Sequence, residues 1–588
     1  MIQRLIFQVK ETLSTRQFLV FSATLVGISA GFLAVLLKLL VHSIQRIFNT
    51  AQLFSPEQKP WMVAFPTVGI VLTVVFIQKI LRGDLGKGVS NVLFEIAQKS
   101  AFVKRHKLYS HIVTSAMTVG LGGSAGLEGP IVITGSAVGS NLATALRHGY
   151  RERTLLLGCG AAAGIAAVFN APIAGVMYAM EVLLADVSVS SFIPLIISAA
   201  CGALFSKITL NEESLLAFHL SDFNWRNTPF YLVMSIFTAF ISLYFVRLSH
   251  AISGFFKRTS LSIYPKALLG GAILAALIFL FPALFGEGYA SIRLLADGKP
   301  EVLLQKSIFS NLNADGTTIL IFLGATIFVK AVATSVTIGS GGNGGNFAPS
   351  LFVGSFVGFT FARLMNMSFG LRLPEANFTV VGMAGVLAGV MYAPLTAIFL
   401  IAEVAGGYDL IIPLMIVATF SNFFVRHFEP ISLEVRDMIE RGEVFSGDKD
   451  RNILLLLKTT NLIETDVQMV EPTATLGEFV ELIKASQRNI FAVVNTEGYL
   501  EGVITLDDAR LVMFDPNLYN SLIVKNLMKP APIILHENDD MNAVMRKFDE
   551  TKAWNLPVVD AADLYVGFIS KSSVFSKYRN QLISMTAE

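Results

Sequence analysis

The chain has 588 residues, of which 53% are hydrophobic and only 15% charged. Soluble domains carry about 25% charged residues, so this composition excludes an ordinary soluble protein and points to a membrane class. The mean hydropathy of +0.62 agrees, and a formal net charge of +2 gives no footprint for a nucleic-acid partner.

In chain order, the first ten residues lack the charged, apolar and small-residue regions of a secretory signal peptide. Arg4, Lys10 and Arg16 precede the first apolar run and favour a cytoplasmic N-terminus. A spanning helix needs about 20 apolar residues. Uncharged runs of that order at 18–37, 61–78, 187–206, 228–246 and 267–286 predict spans. Cys159 and Cys201 sit in apolar stretches without CxxC spacing and read as buried thiols, not as a disulfide or zinc site. The eight histidines show no metal-ligand spacing.

Two stretches are too long for one straight span. Residues 112–146 hold a single charge, Glu128, and residues 331–362 hold none. Each is interrupted by glycines and a proline: Gly122-Gly-Ser-Ala-Gly-Leu-Glu128-Gly-Pro130, and Gly341-Gly-Asn-Gly-Gly-Asn-Phe347-Ala-Pro349. Irregular backbone survives in a bilayer only where protein or a water-filled cavity satisfies it, so both breaks are expected inside the protein, at a site.

The breaks also repeat. Gly126 to Pro130 followed by Gly135-Ser136-Ala-Val138-Gly139 matches Gly345 to Pro349 followed by Gly354-Ser355-Phe-Val357-Gly358. Farther on, Ala171-Pro172 with Glu181-Val182 matches Ala393-Pro394 with Glu403-Val404. Corresponding Gly/Pro-interrupted segments in two halves point to a transporter built from repeats, with its site at their interface. Hydropathy leaves open whether the repeats are parallel or inverted.

After Val425 the chain turns charged, and from about Asn452 it reads as a soluble α/β unit. Strand-like runs at 491–494 and 556–559 alternate with amphipathic segments at 476–486 and 541–548. This unit is twofold as well. Phe491-Ala-Val-Val with Gly502-Val-Ile-Thr-Leu-Asp-Asp508 is echoed by Leu556-Pro-Val-Val with Gly567-Phe-Ile-Ser-Lys-Ser-Ser573.

The chemistry is expected at the breaks. A proline suits the first turn of a helix, and the glycines before it leave amides exposed to a close ligand. A helix N-terminus carries about half a positive charge and unpaired N–H donors. Two such ends converging in the membrane hold an anion without a cationic side chain, tightly enough to select it and loosely enough to release it. Close helix packing is the plainer alternative for the same glycines. The run from Gly339 to Gly345 superficially matches a dinucleotide loop, but it follows no soluble strand.

These motifs resemble those of the CLC family of chloride channels and chloride/proton exchangers, over roughly residues 18–436. Gly126-Leu-Glu128-Gly-Pro130 is similar to the family's G-[K/R]-E-G-P motif and Gly345-Asn346-Phe347-Ala348-Pro349 to G-x-F-x-P, while Gly86-Lys87-Gly88-Val-Ser90 matches G-S-G-I-P only loosely. Phe169-Asn-Ala-Pro172 and Ala393-Pro-Leu-Thr396 match further family blocks. The resemblance implies an all-α membrane fold of inverted repeats with many short or broken helices, assembled as a homodimer with one pore per subunit. It implies transport of chloride or a similar small anion, with protons as a second partner and no required cofactor. Anion-binding positions would be Gly86, Lys87, Gly88, Gly126, Gly129, Gly345, Asn346, Phe347, Ala348 and Ser432.

Glu128 would be the gating glutamate, filling the anion's place when charged and leaving it when protonated. A carboxylate at bilayer depth is a functional candidate in any case. Glu181 reads as a structural carboxylate or as one end of a proton relay. Where exchangers commonly carry a second glutamate, this chain has Val182, which holds no proton and leaves exchanger and uncoupled channel both open. Lys87 replaces the family's serine and Ser432 its pore tyrosine, so the amides of Phe347 and Ala348 would carry more of the binding. Lys87 either attracts anions or snorkels to the interface.

The tail resembles a pair of CBS domains. Thr505 and Asp508 match the pattern that contacts adenosine ribose and phosphate, so an adenine-nucleotide site and a purely structural dimerisation role are both open. The expected organisation is a transmembrane domain at 1–436, a linker at 437–460 and CBS domains at 461–520 and 521–588. The expected location is a prokaryotic plasma membrane, among lipid, with the CBS pair cytoplasmic. A CBS-bearing divalent-cation transporter would want several intramembrane carboxylates, which the apolar core does not offer. No nucleophile–base pair or metal spacing suggests an enzyme.

Overall fold

The structure is a computed structural model that describes residues 13–47, 60–86, 88–184, 189–210, 218, 220–313, 315–440, 457 and 459–586. The chain divides into two compact units, Met1–Glu443 and Val444–Glu588.

The first unit is helical. Its helices are α1 (Thr15–Ile47), α2 (Phe65–Lys79), α3 (Ser90–Gln98), α4 (Lys107–Gly120), α5 (Glu128–Ala145), α6 (Tyr150–Phe169), α7 (Pro172–Tyr178), α8 (Val189–Leu210) and α9 (Thr228–Arg258). Then come α10 (Ile263–Leu280), α11 (Tyr289–Ala296), α12 (Glu301–Gln305), α13 (Gly316–Gly339), α14 (Phe347–Phe369), α15 (Glu375–Met391), α16 (Pro394–Val404), α17 (Ile411–Phe428) and α18 (Leu433–Glu440). Among the described residues nine helices are long and apolar enough to cross a membrane. The outer ones present Phe32, Ile193, Leu204, Phe240 and Phe423 outward, as a lipid-facing surface does.

Both long apolar stretches break where glycine and proline place the break. The first gives α4 and α5, the second α13 and α14, with Pro130 and Pro349 each in a first helical turn. The expected span 267–286 stops sooner: α10 ends at Leu280, and Pro282 begins a short 3-10 turn. Its last residue, Gly286, is left-handed at φ +65°, a conformation a helix cannot continue through.

The two repeats match in three dimensions. A Cβ added at Gly135 would lie 2.2 Å from the Gly160 carbonyl, and one at Gly354 2.4 Å from the Gly382 carbonyl. Thus α5 lies on α6, and α14 on α15, backbone to backbone, the membrane use of small residues. Each second helix ends on a left-handed residue, Asn170 (φ 53°) or Tyr392 (φ 58°), followed by an Ala-Pro start to α7 or α16.

The second unit holds two three-stranded sheets of one topology. In the first, β1 (Met469–Val470) pairs parallel with β2 (Ile490–Val494), which pairs antiparallel with β3 (Leu500–Thr505). In the second, β4 (Leu535–His536) pairs parallel with β5 (Asn555–Val559), which pairs antiparallel with β6 (Tyr565–Ser570). Helices α19 (Leu476–Ala485) and α20 (Leu506–Ala509) belong to the first repeat, α21 (Met541–Thr551) and α22 (Lys571–Thr586) to the second. Phe479, Phe491 and Ile504 anchor one core, and Phe548, Leu556 and Ile569 the other.

Close packing predicts a contrast between glycines. A Cβ at Gly358 would stand 1.9 Å from the Phe378 carbonyl, whereas one at Gly324 meets nothing within 4 Å. Gly358→Ala should cost about 1–3 kcal/mol through overpacking. Gly324→Ala should be neutral or gain up to about 1 kcal/mol, since alanine is the better helix former. Thermal unfolding of the detergent-purified protein checks both.

Candidate functional site

The two breaks meet. Gly126 N–H donates to the Gly345 carbonyl at 2.9 Å, and Gly345 N–H donates to the Gly126 carbonyl at 2.8 Å. This antiparallel exchange joins equivalent residues of the two repeats and satisfies peptide groups that have no helix of their own. Side chains would not fit: a Cβ at Gly344 would lie 2.4 Å from that of Ala125, and one at Gly126 2.0 Å from Glu128 Oε2. The second loop is held to α4 by Asn343, whose amide side chain donates to Thr114 Oγ1 at 2.7 Å and Ser115 Oγ at 3.0 Å.

Two residues beyond the exchange, α5 starts with Glu128 and α14 with Phe347. Both helix N-termini therefore open at one place, and Gly129 and Asn346 are partly accessible there. Glu128 is 1% exposed. Its Oε1 accepts from the Tyr289 hydroxyl at 2.8 Å, the amides of Glu128 and Ala348 face the carboxylate, and Oε2 has no donor among the described residues. Gly126, Glu128, Gly129, Gly345, Asn346, Phe347 and Ala348 thus come together at one place, with the amides of Glu128 and Ala348 facing the Glu128 carboxylate.

The Gly86–Gly88 turn has other neighbours. Both glycines are left-handed, at φ +63° and +79°. A Cβ at Gly86 would approach Asn91 Oδ1 (2.6 Å) and Lys107 Nζ (3.0 Å), and one at Gly88 would approach Ser90 Oγ (3.2 Å) and Glu434 Oε2 (3.6 Å). Lys107 itself pairs with Glu95 at 2.8 Å, both 2% exposed. Lys87 lies outside the described residues. Ser432 precedes α18, where its carbonyl accepts from Val435 and Arg436. Tyr178, missed in the sequence, stands on α7 with its ring 6.4 Å from that of Phe347. It is 1% exposed.

Glu181 sits in a π-helical turn, Ala179–Leu183, together with Val182. Its oxygens accept from the amides of Leu395 (3.1 Å) and Thr396 (2.9 Å) and from Thr396 Oγ1 (2.8 Å), which caps α16. Glu403 on α16 answers by accepting from the amides of Ile173 (3.0 Å) and Ala174 (2.9 Å), which caps α7. Each repeat thereby caps the other. The matching Ala-Pro and Glu-Val pairs were the sequence signal for Glu403. Glu287 was also missed: a lone acid between two glycines at the end of an apolar run reads as a surface turn.

In the second unit Thr505 and Asp508 satisfy one another. Asp508 Oδ2 accepts from Thr505 N–H (2.9 Å) and Oγ1 (2.5 Å), and Lys529 Nζ lies 2.5 Å from Oδ1. Burial works against the charge, but Lys529 and Thr505 outweigh it and hold the Asp508 carboxyl below its ordinary value. A lowered value stabilises the fold above the ordinary carboxylate range and ceases to as acid protonates the group. In the full-length protein, Asp508→Asn should raise amide exchange across 505–509 about fivefold at neutral pH, the scale of a lost cap of ~1 kcal/mol. The gap to wild type should close below about pH 4.

Comparison with known proteins agrees with this arrangement. The voltage-gated chloride channel family model matches residues 69–426, and the CBS domain model matches 460–515 and 524–580. A ClcB-like chloride channel protein of Ralstonia nicotianae is 28% identical over 377 residues, covering 63% of this chain and 83% of the relative. Among solved structures, a slow cyanobacterial Cl⁻/H⁺ antiporter aligns with a TM-score of 0.61 at 22% identity, over 73% of this chain and 98% of its own. A eukaryotic CLC transporter aligns with a TM-score of 0.59 at 20% identity, over 97% of this chain and 98% of its own. At those identities the structures share a fold. Members of the matched family are channels or transporters and not enzymes. With that family's model over most of its membrane part and CBS domains after it, the chain belongs to the CLC family of voltage-gated chloride channels.

Proposed function

We propose that the protein moves chloride, or a similar small anion, across the membrane past the Gly126–Gly345 exchange, with Glu128 as gate and protons exchanged in return. The observation that carries this reading is the Glu128 carboxylate standing between two helix N-termini with one oxygen unpartnered. A charged carboxylate there is itself an anion on the amides of the site. Protonation removes its charge and its claim on those donors, so the side chain can leave and a chloride ion can take its place. The amides of Phe347 and Ala348 then bind the ion in a water-poor setting, where such donors act strongly.

Side-chain coordination would come from Tyr178, whose ring packs against that of Phe347, and not from Ser432, whose carbonyl caps α18. Lys87 would draw anions towards the Gly86–Gly88 turn. Glu181 is a structural carboxylate in this reading, because its oxygens are committed to α16. The family's habit supports a homodimer with a path in each subunit. Arg4, Lys10 and Arg16, ahead of the first apolar run, support a cytoplasmic N-terminus, and the reading places the protein in a plasma membrane of prokaryotic type with the CBS pair in the cytoplasm. The pair serves a structural role, since an adenine nucleotide at Thr505 and Asp508 would have to displace the Lys529 ion pair.

One observation favours a second reading. Val182 carries no proton, and an uncoupled chloride channel needs none. Reconstituted protein under a chloride gradient decides. Proton movement against its own gradient, lost in Glu128→Gln, is the expected result and requires an inner route around Val182. Chloride flux of undiminished size with no proton movement would make the protein an uncoupled conductor.

A further inference from the structure

A second carboxylate reaches the helix end that carries Glu128. Glu287 lies in the turn between α10 and α11, between Gly286 (φ +65°) and Gly288 (φ +93°). A Cβ at Gly288 would stand 2.5 Å from the Phe352 ring, so the turn passes where only glycine fits. Gly286 N–H donates to the Gly122 carbonyl at 3.1 Å, and the Gly286 carbonyl accepts from Lys330 Nζ at 3.1 Å. These bonds pin the turn against the loop that leads into α5. The Glu287 carboxylate then accepts from the Leu127 amide, one residue before Glu128. Two residues on, Tyr289 donates to Glu128 itself.

The charged and titratable groups facing Glu287 come from four elements: Glu128 on α5, Tyr289 on α11, Lys38 on α1 and Lys330 on α13. Lys38 is 7% exposed and Lys330 is fully buried. Like charges close together resist double ionisation, so such a pair tends to hold one proton between them, and Glu287 is partly accessible to receive it. The two ammonium groups oppose that tendency. With both carboxylates charged the four formal charges cancel. One bound proton leaves the cluster at net +1, and a site of that sign draws an anion to the helix ends.

We infer that Glu287 is a second proton-binding carboxylate of the anion site, which shares an external proton with Glu128 and sets the acidity at which Glu128 clears the path. The inference rests on Glu128 being the gate. Its proton comes from the outer solution and returns there or passes to Glu128, so no other reactant is needed.

Full-length protein in phosphatidylethanolamine/phosphatidylglycerol liposomes gives the test, with chloride efflux followed as external pH is lowered. Glu287→Gln removes the neighbouring negative charge, so Glu128 should need more acid, and the midpoint of activation should fall by about one pH unit. Glu287→Asp, which keeps the charge, should hold the wild-type midpoint. A Glu287→Gln curve that overlays the wild type overturns the inference. If Glu287→Gln passes no chloride at any pH, the aspartate variant decides. A wild-type midpoint there supports proton binding, and no flux there either assigns Glu287 a purely structural role and overturns it. Glu128→Gln separates the two ideas. Acid dependence that survives in that variant sinks the gate itself, whereas acid dependence lost there but unmoved in Glu287→Gln sinks only the role of Glu287.

Discussion

Two hydrogen bonds between Gly126 and Gly345 set the terms for the membrane unit. Interrupting a helix inside a bilayer strands peptide groups that water cannot reach, at several kcal/mol each. The exchange removes that penalty for both interruptions at once, because each break supplies the partner the other lacks. It also fixes where α5 and α14 begin, and so where their free amides point. A side chain at Gly126 would displace the Glu128 carboxylate, and one at Gly345 would press on the Gly129 amide. The proposed anion site is in that sense a by-product of how the broken backbone is satisfied.

The reciprocal caps of Glu181 and Glu403 repeat this logic one layer away. Each carboxylate neutralises the N-terminus of a helix in the opposite repeat. Acids of the opposite repeat thus cap α7 and α16, whereas the acids at the start of α5 come from its own first turn and from the α10–α11 turn. The π-helical turn at Ala179–Leu183 serves this arrangement, since the extra residue in the turn presents Glu181 to α16.

Much of this was legible from residues alone. Glu128 was conspicuous as the single charge in a long apolar stretch, and the breaks were marked by glycine and proline, whose effects are local. The repeat was visible as ordered agreement between separate blocks, and the doubled strand pattern announced the second unit. What escaped were contacts made by chain topology. Glu287 is adjacent to nothing remarkable in sequence, and only the folding of the α10–α11 turn onto the α5 loop brings it to Leu127. Tyr178 looked like one more apolar-helix residue until Phe347 was set against it. Ser432 was placed by a motif alignment, and its carbonyl accepts from Val435 and Arg436 of α18. The end of α10 was misjudged because six apolar or small residues follow it, and their backbone angles, not their hydropathy, end the helix.

The backbone-to-backbone seating of α5 on α6 and of α14 on α15 has a mechanical consequence. Where two main chains touch with no side chains between them, there is no compressible layer, and sliding one rod along the other would drive carbonyls into each other at every glycine. The frame around the paired helix ends is therefore stiff, and under the proposed function the gate would be the swing of a single side chain within it. Evolution can then retune such a protein by exchanging one or two projecting groups while the scaffold stays untouched.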